Sequence, residues 1–189
     1  MTLKEHVVLG GAAAAAMAPV LGARDAAVFW TAAVFIDVDH YWDFLYRNGF
    51  RAWTPSKMFA FHQALFPRAR RRDFLGLNLF HTVEFFGMVY LTGSWLGNQA
   101  VLAAFLGLVF HVALDLIRLA SHRALFARAL SVVEYLVRRR RLVRLGMDPN
   151  RVYREALIEI GLLPAPSGGK LHSPPDEQRV VRPAAPLSS

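Results

Sequence analysis

The sequence contains no cysteine, so it can form neither a disulfide nor a thiolate site for zinc or an iron–sulfur cluster. Any metal held by its side chains must be bound by His, Asp and Glu. Charged residues are also scarce, because they make up 19% of the 189 residues while 54% are hydrophobic. This balance is too apolar for an ordinary soluble domain, and the length allows one domain.

The net charge of +8 is unevenly distributed, since thirteen of the 22 Lys and Arg residues follow Ile117. A basic tail directly after an apolar segment is more typical of membrane topology and lipid contact than of nucleic-acid reading. We therefore expect membrane lipids as partners, with anionic headgroups bound by the basic tail, and no specific nucleic acid.

Four apolar stretches precede this tail, and lipid leaves the backbone of such stretches no hydrogen-bond partner outside a helix. They run from about Val7 to Gly22, Ala26 to Tyr46, Phe74 to Gly97 and Ala100 to Ile117. The sequence thus predicts an all-α polytopic membrane protein, a four-helix transmembrane bundle with cytoplasmic amphipathic helices. The first stretch alone also fits a secretory signal peptide, although its start is nearly neutral.

The predicted organisation has three parts. Residues 1–120 form the membrane domain, residues 121–163 form basic amphipathic cytoplasmic helices, and residues 164–189 form a disordered tail. In the second part, one helix is expected to reach about Leu145 and another to run from Pro149 to Leu163, with Asp148 as its N-cap. Because residues 47–73 and the tail are basic, the positive-inside rule predicts a multi-pass protein of a bacterial-type inner (plasma) membrane with both termini cytoplasmic.

Ionisable residues within the predicted spans are the candidate functional residues, since each costs roughly 2.5–3.5 kcal/mol to insert. They are His6, Asp37, Asp39, His40, His81, Glu84, His111 and Asp115. All of them fall near the cytoplasmic ends of the four stretches. This shared depth predicts that they gather in one cluster.

The spacing within each stretch supports the same cluster. Asp37 and His40 are three residues apart, as are His81 and Glu84, while His111 and Asp115 are four apart. In a helix each pair shares a face, where it can supply two ligands to one metal or let a carboxylate orient an imidazole. Hydrogen bonds that only join helices are the alternative. His62 and His122 fit packed or solvated residues better than ligands.

Four short segments resemble a known family, the membrane-bound metal-dependent hydrolases. These segments are KEHVVLGGAAAA, FIDVDHYWDF, LFHTVEFF and LVFHVALDLI, and they cover about residues 4–118. The family is inner-membrane-associated and distantly related to zinc-dependent phospholipase C. Its usual Pro before the first Asp is Ile36 here, and only Phe80-His81-Thr82 remains of a longer family motif. The resemblance implies a divalent-metal site, with zinc the expected ion, formed by His6, Asp37, Asp39, His40, His81, His111 and Asp115.

Two functions follow as expectations. The first is a metal-dependent hydrolase that acts on a phosphoester or lipid at the cytoplasmic interface, with Glu84 as the general base because helical spacing places it beside His81. The second is a non-catalytic membrane scaffold with a structural metal or a hydrogen-bonded His/Asp knot, whose basic tail binds lipid or a partner. An ion pathway is disfavoured, because the outer halves of the four stretches carry almost no polar residues.

Overall fold

The structure is a computed structural model that describes residues 3–165. It is mostly helical, which confirms the all-α class. The α-helices are α1 (Leu3–Leu21), α2 (Ala23–Phe35), α3 (Val38–Arg47), α4 (Pro55–Leu65), α5 (Val83–Leu96), α6 (Gln99–Ser121), α7 (Val132–Arg144) and α8 (Arg151–Glu159). The strands β1 (Gly76–Leu77) and β2 (Arg128–Ala129) form one short parallel pair. The predicted disordered tail lies outside the described residues from position 166 onward.

The apolar helices form two hairpins that pack side by side. The chain reverses between α1 and α2 at Gly22, and between α5 and α6 at Gly97, where the φ angles are +79° and +57°. Glycine adopts this left-handed region without steric cost, so it suits both turns. Helix α2 packs against both α1 and α6, and α5 packs against α6. The two hairpins therefore bring their open ends, which carry the polar residues, to the same side.

Helices α2 and α6 lie very close together at Gly107. A Cβ atom at this position would lie 2.2 Å from the carbonyl oxygen of Phe29. One turn further along both helices, His111 Nδ1 lies 2.7 Å from the carbonyl oxygen of Ala33. The absence of a side chain at Gly107 thus sets the distance at which His111 reaches the α2 backbone.

Two of the predicted spans are shorter in the structure. The second stretch breaks after Phe35, so α2 has 13 residues, and the third becomes helical only at Val83, so α5 has 14. Each covers about 20 Å, less than a bilayer core of about 30 Å. Within residues 3–165 one helix, α6, is long and apolar enough to cross a membrane. A bundle of four full-length spans therefore has no support in these helix lengths.

The basic segment 47–73 contains α4, which forms a second core with α3 and α8. Its buried residues are Phe44, Leu45, Phe61, Ala64, Leu65, Val152, Tyr153, Ala156 and Leu157. Some of the basic residues of this segment form ion pairs with α8: Arg68 Nη2 lies 2.6 Å from Glu159 Oε2, and Arg71 Nη1 lies 2.5 Å from Glu155 Oε2. Residues on both sides of the predicted 120/121 boundary thus share one core.

The helices after Ser121 begin later than predicted. Residues 122–131 form turns, a short 3₁₀ helix and β2, so α7 starts at Val132, where the Ser131 side chain caps it. Helix α8 has Asn150 as its N-cap instead of Asp148. Asp148 still contributes, because its Oδ1 accepts a hydrogen bond of 2.9 Å from the Asn150 amide.

Candidate metal centre

Four separate segments bring His and Asp side chains together at the open end of the two hairpins. Helix α1 supplies His6, the turn between α2 and α3 supplies Asp37, and the 3₁₀ turn before α5 supplies His81. Helix α6 supplies His111 and Asp115 on one face. All except Asp37 are buried. The structure thus brings these five residues together at one point.

Four side-chain atoms face one another at the centre of the cluster. His81 Nε2 and His111 Nε2 are 3.4 Å apart, and Asp37 Oδ1 lies 3.5 Å from the first and 3.3 Å from the second. Asp115 Oδ2 lies 3.9 Å from His81 Nε2 and 3.6 Å from His111 Nε2. These four residues form a His/Asp group that could hold a metal ion.

The hydrogen-bond partners of the two Nδ1 atoms determine which nitrogen of each imidazole carries the proton. His111 Nδ1 lies 2.7 Å from the carbonyl oxygen of Ala33, and His81 Nδ1 lies 3.1 Å from Asp39 Oδ2. A carbonyl and a carboxylate only accept hydrogen bonds, so both Nδ1 atoms are the donors. In the neutral imidazoles this leaves both Nε2 lone pairs directed into the cluster, which is the orientation of a metal ligand.

The spacing of the central atoms fits a metal better than direct hydrogen bonds. Their separations of 3.3–3.9 Å exceed the usual 2.7–3.2 Å of an N–H···O bond, whereas His111 makes a bond of 2.7 Å on its other side. A tetrahedral zinc with ligands at about 2.0–2.1 Å places those ligands about 3.3 Å from one another. The donor types and their spacing therefore fit a divalent cation.

The carboxylates of the cluster are held in the ionised form. Burial raises the pKa of Asp37, but the facing imidazole rings of His111 and His81, together with His40, outweigh burial and hold this pKa well below its usual range. Burial acts in the same direction on Asp39, and hydrogen bonds from His40 and His81 again lower its pKa. Both groups consequently carry a negative charge at neutral pH, as metal binding requires.

His6 supplies a further nitrogen at the edge of the group. Its side chain is buried, and its Nε2 has no hydrogen-bond partner among residues 3–165. This atom lies 3.4 Å from Asp115 Oδ1, and the His6 ring stacks on the ring of His111 with centroids 3.9 Å apart. Burying an imidazole nitrogen without a hydrogen-bond partner costs free energy, which indicates that His6 Nε2 is available as a metal ligand.

His40 belongs to a second group of possible ligands, together with Asp39 and His81. His40 Nδ1 lies 2.8 Å from Asp39 Oδ1 and 3.5 Å from Asp37 Oδ1, so the predicted pairing of Asp37 with His40 is present. The His40 side chain is 20% exposed, whereas that of His81 is fully buried. His40 and Asp37 are therefore the members of the cluster that solvent reaches.

His62 lies next to the cluster without joining it. Its Nε2 is 3.1 Å from the carbonyl oxygen of His40. Burial lowers the pKa of His62 to about 4, so the ring is neutral at physiological pH. Of the two alternatives that the sequence left for His62, a packed or a solvated residue, this placement fits the packed one.

Arg128 is a site residue that the sequence analysis missed. From β2, its Nη1 lies 3.0 Å from Asp115 Oδ2 and its Nη2 lies 3.4 Å from His40 Nε2. In the sequence Arg128 is one of many basic residues after the last apolar stretch, and the pairing of β1 with β2 brings it to the cluster. Asn78 was also missed; its Nδ2 lies 3.2 Å from His40 Nδ1.

Glu84 lies outside the cluster. The predicted helical pairing with His81 is wrong, because α5 begins at Val83 and His81 lies in the preceding 3₁₀ turn. The Glu84 carboxylate is exposed and accepts hydrogen bonds from Ser131 Oγ at 2.5 Å and from the Val132 amide at 3.1 Å. It stabilises the first turn of α7, where a carboxylate is favoured by the helix dipole.

Comparisons with protein-family models, with curated proteins and with solved structures give no match to this chain.

Proposed function

We propose that this chain is a membrane-embedded, zinc-dependent hydrolase of phosphoesters, with its metal centre at the membrane surface. The observation that carries the proposal is the convergence of two Nε2 and two Oδ atoms, from His81, His111, Asp37 and Asp115, within 4.8 Å of one another. If one coordination position is left to water, as in catalytic zinc sites, zinc bound there would lower the pKa of that water and polarise the phosphoryl group. The resemblance to the membrane-bound metal-dependent hydrolases points the same way.

The residues around the ligands suit an anionic substrate. Arg128 presents a guanidinium group beside the cluster, and this planar donor matches phosphate oxygens better than an ammonium group does. The solvent-accessible side of the cluster is the side of Asp37 and His40, whose side chains are 27% and 20% exposed. A phosphoester is therefore expected to approach along this side, with its negative charge against Arg128.

We assign the proton-transfer role to His40 instead of Glu84. Asp39 accepts from His40 Nδ1 and so orients the ring, which leaves Nε2 as the nitrogen that exchanges a proton. Asp39 also holds His81 through its other oxygen, at 3.1 Å. One carboxylate would thus position both a ligand and the proton carrier.

The membrane placement rests on exposed apolar residues along the hairpins. Among the most exposed are Val8, Val20, Leu91, Trp95 and Ile117. Exposed apolar surface on this scale is typical of contact with lipid. We infer that the two hairpins insert into a bacterial-type inner membrane from the cytoplasmic side, with α6 long enough to cross it. Both termini and the metal centre would then lie at the cytoplasmic interface.

Metal analysis followed by an activity assay tests the proposal. Purified full-length protein is expected to carry one zinc per chain by mass spectrometry of the metal, and H81A and H111A are expected to lose it. The E84Q variant is the matched control and should retain the metal. Metal-loaded protein should hydrolyse bis(4-nitrophenyl) phosphate, and H40A should bind metal but hydrolyse this ester far more slowly. Wild-type protein without stoichiometric metal would refute the proposal.

A non-catalytic site is the second candidate, and it is favoured by the burial of most of the cluster. His6, His81 and His111 are each no more than 2% exposed. A structural metal has all its positions filled by protein and leaves none for water. This alternative predicts one zinc per chain and lower stability in H81A and H111A, but no hydrolysis of any phosphoester.

A further inference from the structure

The outward face of α7 exposes apolar side chains that no other part of the described chain covers. None of the residues of α7 is fully buried. The exposed apolar residues are Val133, Leu136, Val137 and Val143, with 65% of Val133 and 61% of Val137 accessible. At 3.6 residues per turn these four positions lie on one side of the helix. We call this side the outer face of α7.

Four exposed arginines lie on or beside the outer face. They are Arg139, Arg140, Arg141 and Arg144. Arg138, by contrast, turns toward the protein, where it lies 2.8 Å from Glu134 Oε1 and donates to the carbonyl oxygen of Phe126. No residue between positions 3 and 165 forms an ion pair with any of the four exposed arginines. The outer face thus combines apolar surface with unpaired positive charge.

Hydrogen bonds hold the start of helix α7 at the open end of the hairpins. The Ser131 hydroxyl and the Val132 amide donate to Glu84 at the start of α5, and the Val83 amide donates to the carbonyl oxygen of Leu130 at 2.8 Å. Val83 is 59% exposed, and Phe126, which contacts Arg138, is 82% exposed. The outer face therefore begins beside further exposed apolar residues at the polar end of the bundle.

We propose that α7 is a docking helix for the surface of a bilayer that contains anionic lipid. Its valines and leucine would enter the headgroup boundary, while the arginines extend their alkyl chains along this apolar layer and bind lipid phosphates. A nucleic acid would pair with the arginines but leave the apolar residues uncovered. A bilayer surface satisfies both kinds of residue at once. This role is independent of the metal centre and of any hydrolysis.

Site-specific fluorescence on full-length protein tests the proposal, since the chain has no cysteine and one introduced thiol takes all the label. The V137C variant, labelled with an environment-sensitive dye, is reconstituted in vesicles of phosphatidylcholine with or without phosphatidylserine. With phosphatidylserine, we expect a shift of emission to shorter wavelength and strong quenching by spin-labelled lipid. Added salt should weaken both effects, because the charges are exposed. A label at R154C on the exposed surface of α8 is the matched control and should show no shift.

A second variant distinguishes the contribution of the positive charges from that of the apolar residues. It replaces four arginines by Gln, namely Arg139, Arg140, Arg141 and Arg144. In this background, the V137C label is expected to lose its dependence on phosphatidylserine. The proposal is overturned if the V137C label is quenched by aqueous iodide equally in both vesicle types. It is also overturned if the label responds to added RNA but not to phosphatidylserine. None of these readings depends on metal content or turnover, so they are separate from the test of the proposed function.

Discussion

Replacing Gly107 by Ala should damage the metal centre without touching any ligand. The new Cβ would lie 2.2 Å from the Phe29 carbonyl oxygen and 3.0 Å from the Phe29 carbonyl carbon. Both are backbone atoms, so no side chain can rotate away and α2 must move by about 1 Å to restore ordinary contact. That displacement acts one turn from Ala33, whose carbonyl oxygen accepts from His111 Nδ1 at 2.7 Å.

The expected magnitude has two parts. Overpacking at a close helix contact costs typically about 1–3 kcal/mol. Loss of the buried His111–Ala33 hydrogen bond adds about 1–3 kcal/mol for the unsatisfied groups. The same bond holds the proton on Nδ1 and the lone pair on Nε2, so its loss should also lower zinc affinity by about tenfold to a hundredfold.

The assay is metal content and thermal unfolding of G107A beside a matched glycine variant. G87A is the control, because a Cβ at Gly87 in α5 would meet no atom within 4 Å. In that position alanine should be neutral or slightly stabilising through its helix propensity. If G107A keeps wild-type zinc content and unfolds at the wild-type temperature, the close crossing of α2 and α6 does not set the geometry of the site.

Four further predictions test the surroundings of the cluster. In D39N the amide cannot accept from His81 as the carboxylate does, so zinc affinity measured by competition with a chelating dye should fall about tenfold to a hundredfold. At free zinc near a hundred times Kd, the wild type should be about 3 kcal/mol more stable to unfolding than after a chelator has removed the zinc. H111A should show no such difference. E84Q should reduce the protection of α7 amides from hydrogen exchange while zinc content stays constant. R128Q should keep its zinc but lose about tenfold to a hundredfold in kcat/KM for a phosphodiester, with partial recovery in R128K; unchanged kinetics in R128Q would argue against a substrate role for this guanidinium.

The sequence by itself determined which residue types could bind a metal and roughly where they would meet. Without cysteine, the ligands had to be His, Asp or Glu. The position of the ionisable residues near the same end of each apolar stretch indicated one cluster, because helical hairpins bring such ends together. These residues are His6, Asp37, His81, His111 and Asp115. Where the helix is continuous, the spacing of two residues was sufficient to predict that their side chains lie together, as for His111 and Asp115.

Only the tertiary structure decided the details that depend on breaks in helices and on contacts between distant segments. Helical spacing failed for Glu84, because the chain before Val83 is not α-helical. His81 lies in a 3₁₀ turn, and the backbone of residues 76–83 pairs with residues 128–130. The same short strand pair places Arg128 beside Asp115, thirteen residues away, although nothing in the local sequence separates it from neighbouring basic residues. Apolar periodicity reports which face of a segment is buried, but it carries no information on where two remote backbones hydrogen-bond.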